Sequence, residues 1–220
     1  MGRNTDSTGS EANPHEEQPI ETAGAPPQAA EAAVILLHGR GSTAQSILTL
    51  IDEFLHHGVM YLAPQAAHKT WYPRSGYAPI EDNEPWFSSG LARISTVLEK
   101  AAAADIPPER TLLLGFSQGG CLASEFVARN PRRYGGLVVL SGSLLGPDTR
   151  QDYDGFIDGT PVFLGCSSDD PYVAADRIHE SARVFEQLGG DVRSRLYDDL
   201  GHAINDDEIQ LINTFIERLV

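Results

Sequence analysis

Thr111-Leu112-Leu113-Leu114-Gly115-Phe116-Ser117-Gln118-Gly119-Gly120-Cys121-Leu122 decides the reading of this chain. An apolar run without polar alternation, as in a strand buried on both faces, leads into Gly-x-Ser-x-Gly and then into a helical pattern. A nucleophilic serine needs that order. It must stand exposed on a sharp strand-to-helix turn, where glycines on either side avoid collision, and the helix N-terminus adds positive potential near a developing oxyanion. The pentapeptide alone is a weak signal; the strand before it and the helix after it give it weight.

Working outward, four more apolar runs match the first: Val34-Ile35-Leu36-Leu37, Val59-Met60-Tyr61-Leu62-Ala63, Leu137-Val138-Val139-Leu140 and Val162-Phe163-Leu164. Residues 192–197 alternate and fit an edge strand. Between the runs, segments 43–56, 88–104, 118–129, 173–188 and 206–219 carry apolar residues three and four apart, as helices do. Ser42 and Asn205 are candidate N-caps. Strand and helix in alternation predict an α/β fold, a mostly parallel sheet flanked by helices on both faces, with no lid-sized insertion. Two long irregular stretches, 64–85 and 146–161, are of the length that often carries function.

The active-site partners should follow in the order serine, acid, histidine, each in a loop at the carboxyl end of a later strand. After the run ending at Leu164 comes Cys166-Ser167-Ser168-Asp169-Asp170-Pro171, and after residues 192–197 comes Asp198-Asp199-Leu200-Gly201-His202. His202 is the candidate base for Ser117, and either Asp169 or Asp170 the carboxylate that orients it, the other serving as a helix cap. The backbone amide of Gln118 and that of Arg40, in the loop His38-Gly39-Arg40-Gly41, are the candidate oxyanion donors. His38 reads as a structural residue of that loop. Trp71, Tyr72, Tyr77, Trp86 and Phe87 concentrate aromatic surface in the first long loop, and with Leu144, Leu145 and Tyr172 they are candidate walls of an acyl pocket.

Length and charge set the limits around this site. The chain has 220 residues and a formal net charge of −15, from 31 acidic and 16 basic side chains. One compact domain fits that length. A broadly anionic surface argues against nucleic acid as a partner and against stable membrane association. Only Lys69 and Lys100 are lysines; this and the acidity fit a salt-adapted cytoplasm or a coding bias. Residues 1–31 are rich in Pro, Glu, Ala and Ser, lack aromatics and carry a net −5, so they read as a disordered acidic tail ahead of a single domain over 32–220. Cys121 and Cys166 are too few for a disulfide framework, which points to a reduced, cytoplasmic protein. There is no secretory h-region, no membrane-length apolar run and no myristoylation signal. Histidine spacing suggests no metal.

Taken together, Leu36-Leu37-His38-Gly39-Arg40-Gly41, Ala63-Pro64-Gln65, Trp71-Tyr72, Trp86-Phe87, Gly115-Phe116-Ser117-Gln118-Gly119-Gly120, Leu140-Ser141-Gly142 and Leu200-Gly201-His202 resemble the phospholipase/carboxylesterase family of serine hydrolases, which includes the acyl-protein thioesterases. The resemblance spans about residues 33–220. It implies an α/β-hydrolase fold, cofactor-free hydrolysis of carboxylic esters or thioesters, Ser117 as nucleophile, His202 as base and Asp170, ahead of Pro171-Tyr172-Val173, as the acid. The chain departs from the family pattern at Cys166-Ser167-Ser168, Ala174 and Ser88. The expected protein is a cytoplasmic serine esterase, monomer or homodimer, acting on a small to medium ester. A thioesterase or lysophospholipase is the nearest alternative, and a non-catalytic ligand receptor on the same fold a more distant one.

Overall fold

The computed structural model describes residues 13–54, 56–150 and 152–220. Seven strands form one sheet in the order β1-β3-β2-β4-β5-β6-β7. They are β1 (Ile20–Gly24), β2 (Ala32–Leu37), β3 (Val59–Pro64), β4 (Thr111–Phe116), β5 (Gly136–Leu140), β6 (Pro161–Ser167) and β7 (Asp191–Tyr197). All neighbours run parallel except β1, which pairs antiparallel with β3. The helices are α1 (Ala44–Leu48), α2 (Trp86–Ala102), α3 (Gln118–Arg129), α4 (Ala175–Gln187) and α5 (Asp206–Glu217).

The period of two in each buried strand sorts the core into two layers. Ala33, Ile35, Leu37, Leu113, Leu137 and Val139 face one side, where Ile94 and Val97 of α2, Leu122 and Phe126 of α3, and Ile178 and Phe185 of α4 cover them. Val34, Leu36, Leu112, Leu114 and Val138 face the other, against Ile47 of α1 and Ile212, Phe215 and Ile216 of α5. Strands covered on both faces need no polar alternation, so their apolar runs were readable as strands. The segment after α1 tightens into a 3₁₀ turn over Thr49–Glu53, which is why the helix expected through residue 56 is shorter. Thr43, not Ser42, caps α1, its Oγ1 accepting from Ser46 N. Asn205 caps α5 in a reciprocal pair with Glu208.

One expectation is corrected. Residues 13–31 are not a disordered tail; residues 1–12 of that expected tail lie outside the described residues. Ile20–Gly24 adds an edge strand to β3 in the register Ile20↔Pro64 to Gly24↔Met60. Upstream of it, His15 is buried and the Arg93 guanidinium of α2 donates to the carbonyls of Glu16 and Gln18. The segment is ordered by backbone pairing and by one histidine and one arginine, so its low apolar content is no obstacle.

Candidate active site

β2 lies between β3 and β4, so the loops after β2 and β4 diverge around a crevice at the carboxyl ends of the strands. Ser117 stands there at φ 55°, ψ −121°, between the end of β4 and the start of α3. This is strained for a serine, and the neighbours hold it. Ser117 N donates to Leu140 O at 2.8 Å, and Ser117 O accepts from Cys121 N at 3.0 Å. The flanking glycines are required by close backbone approach. A Cβ on Gly119 would lie 2.1 Å from Leu37 O, and one on Gly115 would lie 2.3 Å from Gly119 O. The elbow is wedged against the end of β2 with no room for a methyl.

Three side chains from three loops form one hydrogen-bonded line. His202 Nε2 is 2.8 Å from Ser117 Oγ, and His202 Nδ1 is 2.7 Å from Asp170 Oδ2. The other carboxylate oxygen of Asp170 accepts from the amides of Tyr172 and Val173 at 2.8 and 3.1 Å. Burial opposes ionisation of Asp170. The His202 hydrogen bond and charge and the two amide donors outweigh it, holding its carboxyl below the ordinary value. With Asp170 ionised, Nδ1 carries the proton and Nε2 is free to accept from the serine.

Asp169 does different work. It accepts from Ser167 Oγ, and Ser167 Oγ in turn accepts from the amides of Leu200 and Gly201. This pins the turn that delivers His202. Adjacent aspartates thus divide between the His202 ring and the loop that carries it, a distinction that residue order left open and the family resemblance drew in favour of Asp170.

The amides of Gln118 and Arg40 donate to no described residue. Gln118 N is the first amide of α3 and has no intrahelical partner by construction. The Arg40 loop is held close: a Cβ on Gly39 would be 3.4 Å from Ser117 Cβ. His38 is fully buried, accepting from Ala66 N at Nε2 (3.1 Å) and donating from Nδ1 to Gly39 O (2.8 Å). Burial lowers its pKa, keeping it neutral as a strut for the loop. Side chains lock the same frame. Gln118 Oε1 accepts from Trp71 N and its Nε2 donates to Tyr72 O, both at 2.8 Å, while Arg40 donates to the carbonyls of Tyr72, Pro73 and Arg74.

A cavity of about 550 Å³ opens beside Ser117, with Tyr72, Tyr77, Cys121, Ser143, Tyr172 and Val173 in its walls. Of the expected acyl-pocket residues, Tyr72, Tyr77 and Tyr172 border it. Trp71, Trp86, Phe87, Leu144 and Leu145 do not. Trp71 is fully buried, its indole N–H donating to His38 O, and Leu144 is likewise core. Phe87 lies under the Arg129 guanidinium, and Trp86 packs edge-on against His15. These side chains anchor the long loop from below, which an aromatic-rich composition does not distinguish from lining it.

Several site residues were not singled out by the sequence. Cys166, buried at the end of β6, has its thiol 3.6 Å from Asp170 Oδ2, and burial first, then the Asp170 charge, pushes its pKa up to about 12, so it stays a thiol. Phe116 packs beside the His202 ring at a centroid distance of 5.0 Å, as does Tyr172, an expected pocket wall, at 4.8 Å. The position of Phe116 inside the Gly-x-Ser-x-Gly signal was the available clue.

The profile of the phospholipase/carboxylesterase family matches residues 19–220. The chain belongs to that family. Like its other members it is a hydrolase acting on carboxylic esters or thioesters, built on the α/β-hydrolase fold. A solved phospholipase/carboxylesterase from Dyadobacter fermentans is 38% identical, superposes with a TM-score of 0.86, and the match covers 91% of this chain and 97% of that one. A curated relative, acyl-protein thioesterase 1 of Candida albicans, is 25% identical over 215 residues, covering 87% of this chain and 93% of the relative. The carboxylesterase of Bacillus cereus shares the fold at a TM-score of 0.74 and 16% identity, covering 98% of this chain and all of that one. Among the described residues, no helix is long and apolar enough to cross a membrane, and no three His, Cys, Asp or Glu side chains gather as a metal site.

Proposed function

We propose that this family member is a serine carboxylesterase for small to medium acyl esters, working through an acyl-enzyme with Ser117, His202 and Asp170 as its triad. The observation that carries the reading is the unbroken hydrogen-bonded line from Asp170 through His202 to Ser117, ending at a cavity beside two amides that have no partner among the described residues.

His202 Nε2 takes the Ser117 proton as Oγ attacks the ester carbonyl. The oxyanion is met by the amides of Gln118 and Arg40, and one such donor is worth about 10²–10³ in rate. Collapse expels the alcohol, which receives the proton from His202. Water then repeats the sequence on the acyl-enzyme, with His202 again as base. Asp170 keeps its charge throughout and stabilises the imidazolium.

Thioester hydrolysis is the second reading, favoured by the Candida albicans relative that bears that name. The chemistry is the same apart from the leaving atom. Cytoplasmic residence fits the two cysteines, both free and buried. Release of p-nitrophenol from the acetate and butyrate esters, compared with hydrolysis of the matching thioesters, tests the reading. Turnover of the oxygen esters that disappears in Ser117→Ala is expected; full turnover in that variant overturns it.

A further inference from the structure

Ser117 and His202 border two clefts, not one. Besides the 550 Å³ cavity under residues 72–77, a second cleft of about 350 Å³ opens on the opposite side, between α1 with the turn after it and the loop following His202. Arg40, Ser117 and His202 are common to both. The imidazole is the partition: Tyr172 contacts its ring from the first cleft, and Phe116 from the second. The second cleft is lined by the apolar side chains of Ile47, Leu50, Phe116 and Ile204 and by Ser42, Ser46 and Thr49.

We infer that the second cleft is the leaving-group subsite, taking the alcohol half of the ester, and that its preferred occupant is an apolar alcohol the size of hexanol or benzyl alcohol. This rests on Ser117 being the nucleophile. The tetrahedral carbon carries four substituents: Ser117 Oγ, the oxyanion held by the two amides, the acyl chain and the leaving oxygen. Two clefts meeting at that carbon therefore divide acyl from alcohol.

The burial of the walls assigns them. The first cavity backs onto buried Tyr72, Cys121 and Ser143, beneath a loop clamped by the three Arg40 hydrogen bonds, which suits the group retained in the acyl-enzyme. The second has Ser46 and Thr49 exposed and Leu50 and Ile204 half-buried, with Ile47 its one buried side chain, a shallower wall that suits a group released at acylation. His202 Nε2, at the partition, reaches an oxygen at the mouth of the second cleft to return the proton. An apolar lining there contributes binding to the acylation step alone, because the alcohol has gone before deacylation.

Alkyl esters test this in a pH-stat, since methanol and hexanol are leaving groups of similar basicity. Two ratios of kcat/KM are read: hexyl over methyl acetate, and methyl butyrate over methyl acetate. Leu50→Trp, which fills the cleft, should lower the alcohol ratio tenfold or more while the acyl ratio keeps its wild-type value. Leu50→Ala should shift the optimum to longer alcohols, and it covers the case in which the tryptophan variant does not fold. A Leu50 effect confined to the acyl ratio, or no change in either ratio, overturns the assignment. Failure of the nucleophile reading is separately visible: wild-type protein would then form no covalent adduct at Ser117 with a fluorophosphonate.

Discussion

His15 Nε2 donates to the carbonyl of Trp71 at 3.0 Å across 56 residues of sequence. Its Nδ1 accepts from Ala67 N, also at 3.0 Å. Trp71 N in turn holds Gln118 Oε1, so His15, upstream of β1, supports the frame around Ser117. His15→Ala leaves two buried backbone groups without partners, at a cost of about 2–4 kcal/mol. A thermal midpoint roughly 5–15 °C below wild type is expected in calorimetry. An unchanged midpoint would show that the segment before β1 does not contribute to the fold.

Burial lowers the pKa of both His15 and His38. Above the unfolded value of 6.5 both states are neutral and the contribution to stability is complete; as the pH falls below 6.5 the unfolded chain binds protons first, and stability drops toward the folded pKa values. Glu208 runs the other way. Fully buried on α5 with one oxygen lacking a partner among the described residues, its carboxyl is pushed by burial up to about 7. Its contribution is complete below the unfolded value near 4.5 and is lost as the pH rises through about 7. Glu208→Gln should therefore gain stability over wild type between pH 5 and 8, reaching roughly 2–3 kcal/mol. Urea midpoints at both pH values check this; a difference independent of pH would refute the buried titration.

Gly119→Ala is expected to be the most damaging methyl in the chain. Its Cβ would lie 2.1 Å from Leu37 O and 2.7 Å from His38 O, both backbone atoms with no rotamer to escape by. Destabilisation of about 3 kcal/mol or more is expected, with loss of esterase activity in any protein that still folds. Denaturant unfolding of the purified variant measures it.

The two aspartates separate by magnitude. Asp170→Asn should lower kcat by about 10³–10⁴, because the amide can hold the wrong tautomer of His202 and cannot stabilise its charge. Asp169→Asn touches the Ser167 hydroxyl and the Gly201 amide but not the His202 ring, and a loss under tenfold is expected. Steady-state kinetics of both variants on p-nitrophenyl acetate settle the division; equal losses would contradict it.

The elbow was legible because its constraints are local: Gly115 and Gly119 exist for contacts within five residues of Ser117 or with the adjacent strand. The buried strands were legible because parallel packing leaves an unbroken apolar run. β1 was not, since its partners are backbone groups of β3, and backbone pairing leaves little trace in side-chain composition. Nor was the pocket wall. The sequence places Trp71 and Tyr72 side by side, but only the fold turns Trp71 onto His38 and Tyr72 toward the cavity. Choosing between Asp169 and Asp170 required the register of one turn, which the resemblance to the family supplied and composition did not.

The proposed chemistry depends on Ser117 being the nucleophile activated by His202. Mass spectrometry of the protein after reaction with a fluorophosphonate tests it most directly. One adduct per chain on the peptide containing Ser117 is expected, strongly reduced in His202→Ala and absent in Ser117→Ala. No adduct on wild-type protein, or an adduct on another residue that persists in Ser117→Ala, would contradict the account.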